Sequence, residues 1–258
     1  VKRGYPKDYA AAVQAIGGTL GIVIPPSTVF VIYGNITGVS VAKLLMAGVL
    51  PGILCGILLC VYAFYKAKKC NFPKEAGFSF RRFLLSFKDA IWALIMPIVI
   101  LGGIYAGIFT PTESAVVAVF FGYLITYYKI PVAVTNAFMA VASNKYVFLA
   151  LIIVLLLICG MFLEVGATNL ILGPILAPIA VAFGVDPVHF GMLFVFLLAL
   201  GQATPPFGTT MFVACGFSEQ PVSKVAKNLI PFVAVEVVCA IIFAYVPALS
   251  TLLPNLVS

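Results

Sequence analysis

The apolar runs of this chain constrain its fold most, because several of them are as long as a membrane is thick. An α-helix needs about 20 apolar residues to cross the hydrocarbon core, and residues 44–65 and 90–109 provide such runs. The runs lack the alternating pattern of barrel strands. With 63% hydrophobic and 9% charged residues, the chain has too little polar surface to cover a water-soluble globule. The sequence therefore predicts an all-α integral membrane protein, a polytopic helical bundle in contact with lipid.

One basic loop, residues 66–89, indicates the topology. It lies between two apolar runs and contains Lys66, Lys68, Lys69, Lys74, Arg81, Arg82 and Lys88. Short loops rich in Lys and Arg remain in the cytoplasm. Residues 10–33 then run outward and residues 44–65 return. The flanking spans leave no folded face for these charges, so we expect no nucleic-acid partner.

Two apolar runs are interrupted by paired prolines. The stretch "GGTLGIVIPPSTVFVIYG", residues 17–34, contains Pro25 and Pro26, and "QATPPFGTTMFVACG", residues 202–216, contains a second pair 180 positions later. Proline cannot donate the backbone hydrogen bond that a helix needs. A helix broken at membrane depth is tolerated only where it is buried in protein or lines a polar cavity. Pro51 and Pro231 have the same spacing, which indicates an internal repeat.

The two repeats are predicted to be inverted. The first broken run leaves the cytoplasm, whereas Lys224 and Lys227 place the end of the second run there. Inverted repeats with discontinuous helices are typical of the binding site of a secondary transporter. A helix break leaves backbone carbonyl oxygens without hydrogen-bond donors, and these oxygens, with Ser and Thr hydroxyls, can bind a small hard cation. The N-termini of the half-helices attract anions.

A re-entrant hairpin is predicted at residues 146–184, where two apolar arms meet at the polar sequence "EVGATN". The second arm, residues 170–183, is short for a crossing and contains Pro174 and Pro178. The predicted organisation is the tail of a first repeat with a broken helix and a return span (1–65), the basic cytoplasmic loop (66–89), two scaffold spans (90–129) and a second repeat (130–258), which includes the hairpin, a broken helix (188–217) and a final span (229–254).

Three glutamates have more than one interpretation. Glu236 lies early in the final span, where it could belong to an ion pathway, lean to the interface or pair with Lys224 or Lys227. Glu164, at the hairpin tip, could serve an ion pathway or cap the second arm. Glu113 in "TPTES" fits a capping box better than a proton carrier.

Two local patterns indicate structure alone. Gly48, Gly52 and Gly56 repeat every fourth residue, which lets another helix approach closely. Asp186 and His189 predict a turn and a helix start.

No catalytic constellation is present in the sequence, so we do not expect an enzyme. The aspartates Asp8, Asp89 and Asp186 flank the apolar runs, and the single histidine lies at an edge, which leaves no pair for an intramembrane hydrolase. A channel would need a continuous polar ring, and none is evident. The six cysteines show no CxxC pairing and predict no metal site.

Five motifs together resemble a known family. The sequences "GGTLGIVIPPS", "GGIYAGIFTPTES", "GMFLEVGATNLILGPILAPIA", "DPVHFGM" and "TPPFGTTMFVACG" are similar to the C-terminal portion of the large membrane subunit of tripartite ATP-independent periplasmic (TRAP) transporters. The resemblance covers most of the chain. A divalent-anion/sodium symporter-like permease, or a non-transporting structural fragment of such a permease, is the alternative.

The resemblance implies a function and its partners. It implies sodium-driven import of an organic acid anion, such as a C4-dicarboxylate or sialic acid, by an elevator mechanism in the bacterial inner membrane. A periplasmic substrate-binding protein and a small membrane subunit are the implied partners, and sodium is the only implied cofactor.

The resemblance also implies ligands, because in this family sodium binds at the hairpin tips and the broken helices. Carried over, the first sodium site contains Gly18, Thr19, Pro25 and Ser27, and the second contains Gly166, Thr168, Asn169, Thr204, Pro205 and Gly208. The substrate would lie between them, near Ser27, Thr168 and Thr209.

The chain departs from the family pattern in two places. Only the tail of the N-terminal half precedes Gly17, so the first sodium site lacks its partner hairpin. The segment 130–145 is too short and polar to cross from a cytoplasmic Lys129 to a hairpin that enters from outside. The family ordinarily has a further helix there.

Overall fold

The described part of the chain is helical throughout. A computed structural model describes residues 4–73 and 144–256, together with residues 80, 81, 138, 141 and 142. The helices in these ranges are α1 (Lys7–Val23), α2 (Thr28–Thr37), α3 (Val41–Lys69), α4 (Lys145–Phe162), α5 (Val165–Ala182), α6 (Pro187–Ala203), α7 (Thr209–Ser218), α8 (Val222–Tyr245) and α9 (Ala248–Leu256). The predicted scaffold spans (90–129), the cap at Glu113 and most of the basic loop lie outside the described residues.

Several of these helices can cross a bilayer. By length and composition, α3, α4, α5 and α8 are candidate spans, and α1 with α2 passes the same test as one span bent by 41°. The prediction of a polytopic helical membrane protein is confirmed.

The order and lengths of the helices repeat. A helix of 17 residues, α1, precedes one of 10 residues, α2. The same lengths recur in α6 and α7. A long helix with an internal proline follows each pair, with Pro51 in α3 and Pro231 in α8. The broken helices therefore occupy equivalent places in two successions of three helices.

Helix α6 forms the centre of the described bundle. Every residue from His189 to Ala203 is buried. Every other helix of the described ranges contacts α6. A helix that is apolar on all sides is stable only in such a position, and its neighbours leave it no lipid-facing surface.

Three helices are tied together at one end of the bundle. The Lys66 ammonium group donates a 2.8 Å hydrogen bond to Asn228 Oδ1, and Asn228 Nδ2 donates a 3.0 Å bond to Asp8 Oδ2. Lys66 also lies 5.3 Å from the ring centre of Tyr9. The start of α1, the end of α3 and the start of α8 thus share one end, as the positions of the lysines predict for the cytoplasmic side.

At the opposite end of the bundle lie the start of α4, the end of α8 and the start of α6. The Tyr245 hydroxyl donates a 3.2 Å hydrogen bond to the Tyr146 carbonyl. His189 Nδ1 lies 2.6 Å from the Ser250 hydroxyl. Asp186 caps α6 by accepting hydrogen bonds from the backbone of Val188 and His189. The predicted helix start is confirmed.

Helices α4 and α5 form a hairpin that begins and ends at this second end, because α5 leads directly into α6. The second arm differs from its predicted length: it spans Val165–Ala182, 18 residues, and is long enough to cross. It starts earlier than residue 170 because the polar residues of the tip are helical. The case for a re-entrant hairpin therefore rests on where the arms begin and end rather than on a short arm.

The predicted final span 229–254 is two helices. Helix α8 runs from Val222 to Tyr245, and α9 follows from Ala248. The backbone leaves the helical conformation at Val246, and Pro247 cannot donate to a preceding turn. Helix α9 then packs against α3.

Candidate functional site

The first break separates α1 from α2 at residues 24–27. Ile24 is extended, the bond between Pro25 and Pro26 is cis, and Ser27 caps α2 by accepting a 3.3 Å hydrogen bond from the Phe30 backbone. The prolines stand where a helix would supply donors to the carbonyls of residues 21 and 22. No other group of the described residues donates to these two carbonyls. Within the described part of the chain, two backbone oxygens are therefore open at the first break.

The predicted glycine strip of α3 packs against this break. A Cβ added at Gly48 would collide with the Val23 carbonyl oxygen and would lie 2.7 Å from the Phe30 ring. A Cβ at Gly52 would lie 2.5 Å from the Ile24 side chain. The close approach predicted for these glycines is confirmed, and the first break is the partner that requires it.

The second break separates α6 from α7 at residues 204–208. Its Pro205–Pro206 bond is also cis. In a continuous helix, residues 205 and 206 would donate hydrogen bonds to the carbonyls of Gly201 and Gln202, which prolines cannot do. Here these carbonyls have other donors: the Thr204 backbone donates a 3.0 Å bond to Gly201, and the Thr210 hydroxyl donates a 2.8 Å bond to Gln202. The two breaks thus differ in the oxygens they leave open.

Glu164 caps the second arm of the hairpin. One carboxylate oxygen accepts a 2.9 Å hydrogen bond from the Ala167 backbone, and Thr168 donates its hydroxyl proton to the Glu164 carbonyl at 2.8 Å. Of the two interpretations of Glu164, the structure shows the capping one. The Thr168 oxygen keeps its lone pairs, because its proton is used within the helix.

The hairpin tip lies beside both breaks. Asn169 Nδ2 donates a 2.9 Å hydrogen bond to the carbonyl of Val29, in the first turn of α2. On the other side, the ring centres of Phe162 and Phe207 are 5.0 Å apart. Asn169 Oδ1 is buried and has no hydrogen-bond partner among the described residues. Through these contacts the hairpin connects the two broken helices.

The structure groups some of the predicted sodium ligands and separates others. Pro25 and Ser27 form the first break, and Thr204, Pro205 and Gly208 form the second. The hydroxyl of Thr204 donates to the Leu200 carbonyl at 2.8 Å, which leaves its lone pairs open.

Of the remaining predicted ligands, Gly166, Thr168 and Asn169 lie at the hairpin tip, and Gly18 and Thr19 lie on α1 before the first break. Gly166 sits under the Glu164 carboxylate, and Gly18 lies on α1 against Thr210 of α7, where an added Cβ would be 3.9 Å from the Thr210 methyl group. The Thr19 hydroxyl lies 2.6 Å from Oε1 of Glu236 on α8.

The position of Glu236 was the least predictable part of this region. Only 1% of its surface is exposed, so the interpretation that it leans to the interface or pairs with Lys224 or Lys227 is wrong. Its partner, Thr19, is 217 residues distant in sequence, and no local pattern indicates such a contact.

A cavity of 490 Å³ lies between α1 and α7. Its polar lining includes Lys7, Gln14, Thr209 and Thr210, and Gly18 forms part of its wall. The start of α1 places Lys7 at the end of the bundle that the basic loop predicts to be cytoplasmic. Helix α7 begins at Thr209 and its N-cap, Gly208, has no side chain, so among the described residues the first N–H groups of the helix have no side-chain acceptor. Ser27 and Thr168, predicted beside Thr209 at the substrate, do not line this cavity.

Comparisons with known proteins identify the family. A family model described as "Tripartite ATP-independent periplasmic transporter, DctM component" matches residues 1–128 and 119–249. The chain belongs to the DctM family. The resemblance seen in the sequence is confirmed, and the family is one of transporter components of the bacterial inner membrane rather than of enzymes.

Similar proteins have several named substrates. The chain is 36% identical to the isethionate TRAP transporter permease protein DctMQ of Oleidesulfovibrio alaskensis, over 96% of the chain and 46% of that protein. It is 34% identical to the C4-dicarboxylate TRAP transporter large permease protein DctM of Pseudomonas aeruginosa, over 99% and 69%. It is 31% identical to the sialic acid TRAP transporter permease protein SiaT of Haemophilus influenzae, over 98% and 48%.

These relatives are longer than the chain, which spans less than half of two of them. The aligned regions cover 291 to 296 residues in these comparisons, more than the 258 of the whole chain. The relatives therefore contain internal residues that have no counterpart here. The two family matches overlap at residues 119–128, beside Lys129, where the family's further helix was expected.

Proposed function

We propose that this DctM-family chain takes part in sodium-coupled import of an organic acid anion. It would act with a periplasmic substrate-binding protein and a small membrane subunit. The observation that supports the proposal best is the pair of matched helix breaks with a hairpin tip between them. Broken helices at membrane depth cost stability unless their open backbone groups bind something.

The cation would bind where backbone and hydroxyl oxygens are open. The carbonyls of residues 21 and 22 have no donor among the described residues, and the oxygens of Thr168 and Thr204 keep their lone pairs. Such neutral oxygens suit a small hard ion of single charge.

The anion would bind on the side of α7. The uncapped first N–H groups of this helix, with the Thr209 hydroxyl, offer hydrogen-bond donors to a carboxylate or sulfonate. Lys7 adds a positive charge at the cytoplasmic mouth of the same cavity. Isethionate, C4-dicarboxylates and sialic acid, which the relatives' names specify, all have such an acidic group.

Sodium-gradient uptake tests the proposal. The chain would be reconstituted in liposomes with the small subunit and a binding protein, and uptake of each of these three anions would be measured with sodium or choline outside. We expect uptake of at least one anion to require sodium, and Asn169→Ala or Thr204→Val to abolish that uptake while expression is unchanged.

A matched control separates ligand loss from loss of a helix hydrogen bond. Thr251 donates to the carbonyl four residues before it, as Thr204 does, but it lies in α9, away from the breaks. Thr251→Val should leave uptake unchanged. Equal uptake in sodium and choline by the unmodified protein would contradict the proposal.

A further inference from the structure

Glu236 is a carboxylate enclosed by helices from both repeats. It projects from α8, and its neighbours are Thr19 on α1 and Cys55 on α3. Exposure is 1% for Glu236, 2% for Thr19 and 0% for Cys55. A carboxyl group in such a place needs a proton, a cationic side chain or a bound cation, because an isolated buried charge is very costly.

The hydrogen bonds around this carboxyl group are incomplete. Oε1 lies 2.6 Å from the Thr19 hydroxyl and 3.9 Å from the Cys55 sulfur. Oε2 is buried and has no partner among the described residues. A buried carboxylate oxygen with no donor is an exception among folded proteins.

The Thr19 hydroxyl serves two acceptors with one proton. Its oxygen is 2.6 Å from the Ile16 carbonyl and 2.6 Å from Glu236 Oε1. A hydroxyl has a single proton to donate. When that proton points to the carbonyl, the Thr19 oxygen turns its lone pairs toward the carboxylate, and the 2.6 Å contact then needs either a proton on the carboxyl group or a cation bound beside both oxygens.

No described lysine or arginine supplies that charge. Lys66 is the cation that binds to α8, and it bonds to Asn228. At 1.5 Å per residue, Asn228 lies about 12 Å from Glu236 along the helix. The oxygens that remain, from Glu236, Thr19 and Ile16, are the ligand type that a hard cation prefers.

We propose that Glu236 and Thr19, with the Ile16 carbonyl, bind a sodium ion at the junction of α1, α3 and α8. This site is separate from the helix breaks and from the hairpin tip. The inference rests on the proposed sodium coupling for the identity of the ion. It assigns Thr19 to Glu236 rather than to the first break.

The first repeat has no equivalent of Glu236 at the corresponding position. Glu236 follows Pro231 at the same distance as Gly56 follows Pro51, so the first repeat has a glycine where the second has a carboxylate. The ion would be bound by α1 of one repeat and α8 of the other. Sodium at this place therefore links the two repeats, and its binding should raise the stability of the bundle.

Equilibrium binding of radioactive sodium to the detergent-purified chain tests the proposal. We expect Glu236→Gln to weaken one class of sodium sites by about tenfold or more, since even residues that only support a metal ligand affect affinity by that factor. Sodium-dependent thermal stabilisation, measured against equal concentrations of choline, should decrease in parallel. The exposed Glu219 provides the control: Glu219→Gln makes the same chemical change outside the cluster and should bind sodium normally.

A second pair of variants keeps the test decisive if Glu236→Gln folds poorly. Thr19→Ser retains the hydroxyl and should retain sodium binding, whereas Thr19→Val removes it and should lose the same class of sites. Identical sodium binding in the unmodified chain, Glu236→Gln and Thr19→Val would overturn the proposal and leave a protonated, purely structural carboxyl group. Transport is a separate measurement: sodium-independent uptake contradicts the proposed function, whereas unchanged sodium binding in the variants contradicts only this site.

Discussion

Gly208 is the most crowded residue of the second break. An added Cβ would collide with the Gln202 carbonyl oxygen and would lie 2.9 Å from the Thr204 backbone nitrogen. Both atoms are backbone, so neither can move as a flexible side chain would. This crowding explains why the turn after Pro206 needs glycine, although the backbone angle of Gly208 itself is one that any residue can adopt.

Gly208→Ala should therefore destabilise the protein by about 1–3 kcal/mol, the usual cost of overpacking. Thermal unfolding in detergent would measure the difference. Gly216, in the helix that follows, has open space around it, so Gly216→Ala should leave the melting temperature unchanged or raise it. Equal melting temperatures for both variants would show that the turn accommodates the added methyl group without loss of stability.

Single residues also show the limits of sequence-based prediction. Pro25 and Pro26 predict the first break because each lacks the backbone N–H that a helix needs at its own position. The sequence therefore locates the break correctly. The contact of Asn169 with Val29 joins residues 140 positions apart, and Glu236 and Thr19 are 217 positions apart in the sequence. Such contacts depend on how helices pack, which no short pattern specifies.

Helix α3 depends on its glycines where it crosses the first break. Gly48 faces the last turn of α1 and the Phe30 ring at the start of α2. The strip of small residues thus lets one continuous helix pack against the irregular backbone of a broken one. Small residues at such crossings are the usual means of close packing in membranes.

Gly48→Ala should separate α3 from the break and cost about 1–3 kcal/mol of stability. Unfolding in a titration with sodium dodecyl sulfate would measure the loss. Gly17→Ala is the matched control, since Gly17 is also helical but has nothing within 4 Å of an added Cβ. If Gly48→Ala unfolded at the same detergent concentration as Gly17→Ala, the close packing would have no energetic importance.

At the level of elements, the sequence predicts that a helix is present more accurately than it predicts where the helix begins and ends. The broken helices, the hairpin and the return span occur near their predicted positions. The boundaries differ where capping decides them: Glu164 caps α5, so the polar tip becomes its first turn, and Val246 and Pro247 divide the predicted final span. Caps depend on side-chain geometry over a few residues, which hydrophobicity does not reveal.

The topology of the whole molecule follows from the end of the bundle that contains Lys66, Asp8 and the start of α8. The basic loop predicts that this end lies in the cytoplasm. Cys70, the C-cap of α3, is exposed at the same end, whereas Cys55, Cys215 and Cys239 are buried.

A membrane-impermeant maleimide should therefore label Cys70 in inverted membrane vesicles but not in right-side-out vesicles. Cys70→Ser should remove this signal, which distinguishes it from labelling of the other exposed cysteine, Cys60. Labelling of Cys70 in right-side-out vesicles would reverse the orientation of the entire bundle.

The burial of α6 affects how the protein can vary among relatives. A side chain that faces lipid has a fluid neighbour, which adapts to a larger or smaller residue. From His189 to Ala203 the neighbours are other helices, packed as densely as a crystal. A change of volume in α6 must therefore be matched by a second change in the helix that it touches. Substitutions in this helix should occur as compensating pairs, whereas those on the lipid-facing sides of α3 and α8 should occur singly.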